Sequence, residues 1–193
     1  MSNELLKKNF PDQVIYFIKK KIKTLIILSV IVLILLFSLI VFKNIKKKQD
    51  IKIAEQYAQA VILIKQKNIT ESKLLLEAVI NENHRFYSPL ALYFIIDNKI
   101  EIDSLKIISF YDKILKNNSI DKENLNLIKI KKAIYLINLD KENQVIKTLN
   151  PIINSSSVWK NTAINLISEY FISKGQQSKA DEYINLLSSN IKN

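Results

Sequence analysis

Apolar positions in this chain fall into two regimes. Between Thr24 and Phe42 they run without interruption: nineteen consecutive residues carry no charge and sixteen are Leu, Ile, Val or Phe. After that stretch they recur at i, i+3, i+4 and i+7, as in Tyr57, Ala60, Val61 and Ile64, or Leu125, Ile128, Ala133 and Leu136, the spacing of helices with one buried face. The first regime predicts a membrane-spanning helix. At about 1.5 Å per residue it is roughly 28 Å long, close to the ~30 Å hydrocarbon thickness of a bilayer. Its sixteen large apolar residues favour insertion by about 5 to 10 kcal/mol in total. Thr24, Ser29 and Ser38 can bond their hydroxyls to carbonyls of their own helix.

The flanks decide between an anchor and a cleaved leader. The run is followed by Lys43, Asn44, Ile45 and Lys46 and not by small residues, so an uncleaved signal anchor is expected. Lysines crowd both ends, six before the span and five just after it, and the positive-inside rule leans only slightly toward a cytoplasmic N-terminus. Ahead of the span, Phe10, Val14, Ile15, Phe17, Ile18 and Ile22 have largely helical spacing beside Lys19 to Lys21. That segment is either an interfacial helix leading into the span or a partly ordered tail.

The second regime predicts an all-α domain over residues 43–193. One glycine and three prolines are too few for the turns of a sheet protein. Short polar breaks at 65–70, 81–85, 97–103, 117–122, 140–143, 154–157 and 174–177 divide it into eight helices, or four antiparallel pairs. Thr70 and Asp103 are expected N-caps, Ser88 precedes Pro89 in a first turn, and Ser155 to Ser157 precede Val158 and Trp159. Pairs opening near Ile51, Phe86, Lys122 and Val158 repeat about every 36 residues, near the ~34 of tetratricopeptide solenoids, so a right-handed superhelix of about four pairs is expected.

The last pair has the clearest pattern. Ala163, Ile167, Ser168, Phe171, Gly175, Ala180, Ile184 and Leu187 alternate small, large and aromatic positions around a glycine suited to a left-handed turn. In earlier pairs Ala60, Ala91 and Ala133 can play the part of Ser168, and Ser72 that of Ala180. Lys67 and Asp140 stand where Gly175 would, and 97–103 holds an insertion.

Charge follows the anchor. The net charge is +11, of which residues 1–52, with eleven lysines against Glu4, Asp12 and Asp50, hold +8. Residues 53–193 hold eighteen basic and fifteen acidic residues, a net of +3. The basicity therefore sits at the membrane boundary, where lysines meet anionic lipid, and Arg85 is the single arginine. Nucleic-acid binding is not expected. Without cysteine there is no thiol chemistry, and the redox compartment is not fixed.

Candidate chemistry is sparse. His84 stands alone in a predicted loop, so no histidine triad or His-rich metal site can assemble. Glu101 with Asp103, and Asp181 with Glu182, read as solvated charges. No cofactor and no enzymatic activity are expected. Trp159 reads as a packing anchor, and Tyr93, Tyr111 and Tyr183 fall on core-facing registers. If the first helix of each pair lines a concave groove, Tyr57 and Lys65 in the first pair and Asn165 and Glu169 in the last are the candidate partner-binding residues.

The order of elements carries a resemblance. A short tail containing Asp12, Gln13 and Val14 precedes one span and degenerate helical pairs. The stretch Leu149, Asn150, Pro151, Ile152, Ile153, then Val158, Trp159, Lys160 and Ala163 through Gly175 to Leu187, is similar to the end of the domain in YfgM-like ancillary subunits of the SecYEG translocon. The resemblance implies a cytoplasmic tail over 1–23, an inner-membrane span over 24–42, and a periplasmic domain that contacts the channel, periplasmic chaperones or emerging chains. An adaptor for envelope assembly or division, or one facing the cytoplasm, is the alternative. Ile, Lys and Asn replace much of the Ala, Arg and Gly typical of those relatives.

Overall fold

The computed structural model describes the backbone of residues 10–190; the side chains of residues 10–20, 25 and 188–190 lie outside the described residues. The expectation of an amphipathic face over Phe10 to Ile22, and the tail residues Asp12, Gln13 and Val14, therefore rest mostly outside them. Eight α-helices and no strand occur among the described residues: α1 (Phe10–Lys65), α2 (Ile69–Asn81), α3 (Tyr87–Asp97), α4 (Ser104–Leu115), α5 (Lys122–Asn138), α6 (Glu142–Ile153), α7 (Lys160–Ser173) and α8 (Gln177–Asn190). The chain divides into two compact units, Met1–Ile51 and Lys52–Asn193.

In the first unit, the part of α1 between Ile26 and Phe42 exposes every large apolar side chain it carries. This helix is long and apolar enough to cross a membrane. Ser38 donates its hydroxyl to the Leu35 carbonyl at 2.9 Å, so that polar group is satisfied within the helix. The sequence between Phe42 and Ile51 contains no glycine or proline, and α1 has no break there.

In the second unit, the last turns of α1 and helices α3, α5 and α7 all end in the same way. A residue with positive φ sits two positions past the helix: Lys67 (63°), Lys99 (51°), Asp140 (55°) and Gly175 (70°). The next amide then reaches back to a carbonyl five residues earlier, Asn68 to Leu63, Ile100 to Ile95, Lys141 to Leu136 and Gln176 to Phe171, at 2.9 to 3.1 Å. This is the Schellman arrangement. The four residues it anchors, Leu63, Ile95, Leu136 and Phe171, are all buried. Three of the turns span three residues and bring on the following helix at once, whereas α3 is followed by six residues, 98–103, confirming the insertion.

These turns explain the caps. Thr70 lies inside α2, and Asn68 caps it, its Oδ1 accepting from the Glu71 amide at 3.3 Å. The three-residue turn makes Asn68 both the end of one motif and the start of the next, which leaves no place for a cap at Thr70. Asp103 does cap α4. Ser88 is buried and donates to the Val79 carbonyl at 2.8 Å; the cap of α3 comes from His84, whose Nδ1 accepts from the Phe86 and Tyr87 amides at 3.1 and 3.0 Å. His84 is thus a half-buried capping residue and not the free loop side chain expected.

Small residues let the helices close. Ala60 and Ser72 are fully buried, and Ser72 donates its hydroxyl to the Ala60 carbonyl at 2.8 Å. Ala91 sits four residues before its anchor Ile95, where Ala60, Ala133 and Ser168 sit three before theirs, so Leu92 takes the equivalent place in α3. Consecutive helices from α2 to α8 pack on one another, and α5 also packs on α7. Side-chain bonds link positions 30 to 37 residues apart: Asn117 to the Asn83 carbonyl at 2.6 Å, Tyr170 to Asp140 at 3.0 Å and Lys179 to Glu142 at 2.8 Å. The core is in two clusters that meet at α5, with Ile128 in the first and Ile130 in the second.

A Cβ on Gly175 would meet nothing within 4 Å, so a side chain there costs only backbone strain. Gly175→Ala should lower stability by about 1 kcal/mol, while Lys67→Gly or Lys99→Gly should raise it by about 0.5 to 1 kcal/mol. Urea midpoints of the full chain in detergent micelles, followed by circular dichroism, check the opposite signs.

Candidate functional site

The groove candidates do not converge. Tyr57 is half-buried, with its ring 5.9 Å from that of Tyr87 and 6.1 Å from that of Phe94, so it packs the core and is not the free surface aromatic expected. Lys65, Asn165 and Glu169 are exposed, the first on α1 and the other two on α7. None of the four lines the cleft that the domain presents between two of its helices.

That cleft lies between α3 and α5. It holds about 280 Å³ and is walled by Tyr93, Asp97, Lys131, Ile134 and Tyr135, with Tyr111 of α4 at its floor. A second hollow of about 190 Å³ extends from Tyr93 toward the helix starts, between Arg85, Phe86 and Leu90 on one side and Asn124 and Leu127 on the other. Arg85 lies opposite Asn124, Tyr93 near Lys131, and Asp97 near Asn138, so α3 and α5 run parallel along one groove. The two helices barely touch, in contrast to α5 and α7, and the gap between them is the groove.

The registers tell why the candidates were near misses. Glu169 stands two residues before its anchor Phe171; the equivalents in the middle repeats are Tyr93 and Ile134. Lys65 stands two residues after Leu63; its equivalents are Asp97 and Asn138. Two of the four candidates thus mark the groove registers, but in the terminal pairs. The register of Asn165 turns inward elsewhere, at Tyr57, Pro89 and Ile130. Counting back from Ile95 and Leu136 in the sequence would have found the cleft walls.

Aromatic rings give the cleft its character. Tyr111 and Tyr135 lie with centroids 6.2 Å apart, and the Lys131 ammonium sits 4.8 Å from the centroid of Tyr93. Burial pushes the Tyr93 hydroxyl up to about 12 and raises Tyr111 further; burial also raises Tyr135, helped by the nearby carboxylates of Asp103 and Glu101. All three are neutral hydrogen-bonding groups across the physiological range. Tyr93 packs half-buried on the first core cluster, as its register predicts, and also walls the cleft, while Tyr111 is buried as expected and Tyr183 stacks on Phe171 at 5.8 Å. Trp159 packs against the second core cluster, in line with its reading as an anchor.

Behind the cleft, the inserted loop is fixed by Glu101. Expected as a solvated charge, Glu101 is instead buried, 7 % exposed, and its carboxylate takes Lys73 at 2.8 Å, Lys106 at 3.4 Å and the amides of Ile102 and Asp103 at 2.9 and 3.0 Å. The extra residues of the loop turn it toward α2, which supplies Lys73 and also Glu77, 2.6 Å from Lys106. The Lys73 bond foremost, then the Asp103 amide, hold the Glu101 carboxyl down at about 2.

No protein-family model, curated protein or solved structure matches the chain.

Because the folded carboxyl titrates below its ordinary value of 4.5, Glu101 stabilises the fold above that pH, and the contribution is lost as pH falls toward about 2. Glu101→Gln should lower stability at pH 7 by about 1 to 2 kcal/mol, a figure kept small because Lys73 and Lys106 remain about a third exposed. Denaturation of both proteins from pH 7 to pH 2 should show the two curves converging.

Proposed function

We propose that this chain is a single-pass inner-membrane protein whose tetratricopeptide-like domain binds other proteins in the periplasm, as an ancillary subunit beside the Sec translocon. The observation that carries the binding reading is the parallel α3–α5 groove, walled by tyrosines and isoleucines with charged residues along it. Proteins bury aromatic and apolar surface in such grooves, and rigid tyrosines contribute contact area at low entropic cost. The stacking of each helix on its neighbours, with bonds between positions 30 and 34 residues apart, supports a solenoid of paired helices.

The translocon assignment comes from the resemblance to YfgM-like subunits, which also supplies the orientation with N-terminus inside. The partners are then the channel, periplasmic chaperones or chains emerging from it, and the span with its flanking lysines holds the lipid. The mode of action is recognition without catalysis: the anchor confines the domain to the membrane plane and the groove presents a fixed surface.

Two measurements test this. A reporter fused after Asn193 should be active only in the periplasm; cytoplasmic activity overturns the orientation. A photo-crosslinking residue placed at Ile134, a 45 % exposed wall of the cleft, should capture translocon subunits, chaperones or exported chains in native membranes. Adducts confined to division or envelope-assembly proteins would move the adaptor to that machinery.

A further inference from the structure

We infer that the α3–α5 groove takes an extended peptide of about five residues, apolar in its middle, with a carboxylate at the Arg85 end and a cationic side chain at the Asp97 end. This rests on the protein-binding reading of the groove and adds the chemistry of its occupant.

Length comes first. The eleven residues of α3 rise about 16 Å from end to end, and an extended chain covers that in about five residues at ~3.3 Å each. The middle of this path is Tyr93, Tyr135 and Ile134, with the Lys131 ammonium over the Tyr93 ring, and it favours apolar or aromatic side chains.

Charge gives the ends. Arg85 and Asp97 lie at opposite ends of the groove, and neither makes an ion pair with another described residue. Lys131, likewise without a carboxylate partner, holds its ammonium over Tyr93 at the junction of the two hollows, so positive charge extends from the Arg85 end to the centre. The Asp121 carboxylate near that end is tied to the amide and side chain of Asn124. Because α3 and α5 run parallel, both helix N-termini lie at the Arg85 end and both C-termini at the Asp97 end. Their dipoles therefore add to the fixed charges in the same sense. A bipolar segment meets complementary charge at both ends, whereas a segment with like charges at both ends is repelled at one.

The test is fluorescence anisotropy on the full chain in detergent micelles. Four labelled hexapeptides share a Leu-Tyr-Leu-Val middle and differ in their end residues: Glu and Lys, Glu at both, Lys at both, or Gln at both. The Glu and Lys peptide should bind about threefold to fivefold tighter than the others. Arg85→Glu should shift the preference to the peptide with Lys at both ends, and Asp97→Lys to the peptide with Glu at both ends. Ile134→Ser, at a wall that is 45 % exposed, should weaken all four alike, with circular dichroism checking that the helices are retained. Equal affinities that still fall with Ile134→Ser would overturn the charge assignment and leave the groove standing. Binding of none, or indifference to Ile134→Ser, would overturn the groove itself.

Discussion

The left-handed turn that closes each first helix is the constraint on which the domain depends. One residue at positive φ and one backbone bond to a buried anchor redirect the chain after Leu63, Ile95, Leu136 and Phe171. Because the turn is only three residues long in three of the four cases, the next helix has no freedom in its starting point, and its inward positions Ser72, Val145 and Ala180 fall five residues after the turn residue. The anchor in turn fixes which residues of the first helix look outward, two before it and two after. Three of the four turn residues are not glycine, so the domain tolerates about 1 to 2 kcal/mol of backbone strain at each, offset by anchors whose truncation would cost about 2 to 5 kcal/mol.

The departure from this regularity lies beside the groove. Six residues follow α3 where the other turns have three, and the Glu101 carboxylate binds the extra length to Lys73 and Lys106 on the neighbouring helices. Here α3 and α5 meet only weakly, and Tyr111 of α4 forms the floor between them. Helix α5 makes up for this by burying residues on two faces, Ile128 into one core cluster and Ile130 into the other. A second-unit core that is divided yet shares one helix can stay cohesive and still leave an opening at the division.

Much of the architecture was legible because it is written in local chemistry. The uninterrupted apolar run, the breaks between helices, Asp103 as a cap, Gly175 as a turn and the insertion at 97–103 each depend on a few neighbouring residues, and each has its counterpart in the structure. What depended on partners distant in sequence was not legible. Glu101 could be recognised as buried only with Lys73 and Lys106 brought to it, and His84 as a cap only once the turn before α3 was known. Tyr57 was misread for the same reason: its cover comes from Tyr87 and Phe94 on α3, which periodicity within α1 does not show. The groove was half legible, since its registers were already marked by Lys65 and Glu169.

A shallow groove of this size is suited to weak binding, and in the proposed setting weak binding is what an anchored adaptor requires. Two hollows of about 280 and 190 Å³ hold a few side chains, not a folded surface. Ion pairs at exposed ends add about 0.2 to 1 kcal/mol each, enough to choose an orientation and too little to slow release. In that proposed setting, confinement to the membrane plane would supply the rest, because a tethered partner is met at an effective concentration that short linkers bring toward millimolar. Under that proposal, occupancy depends on the domain standing beside its partner.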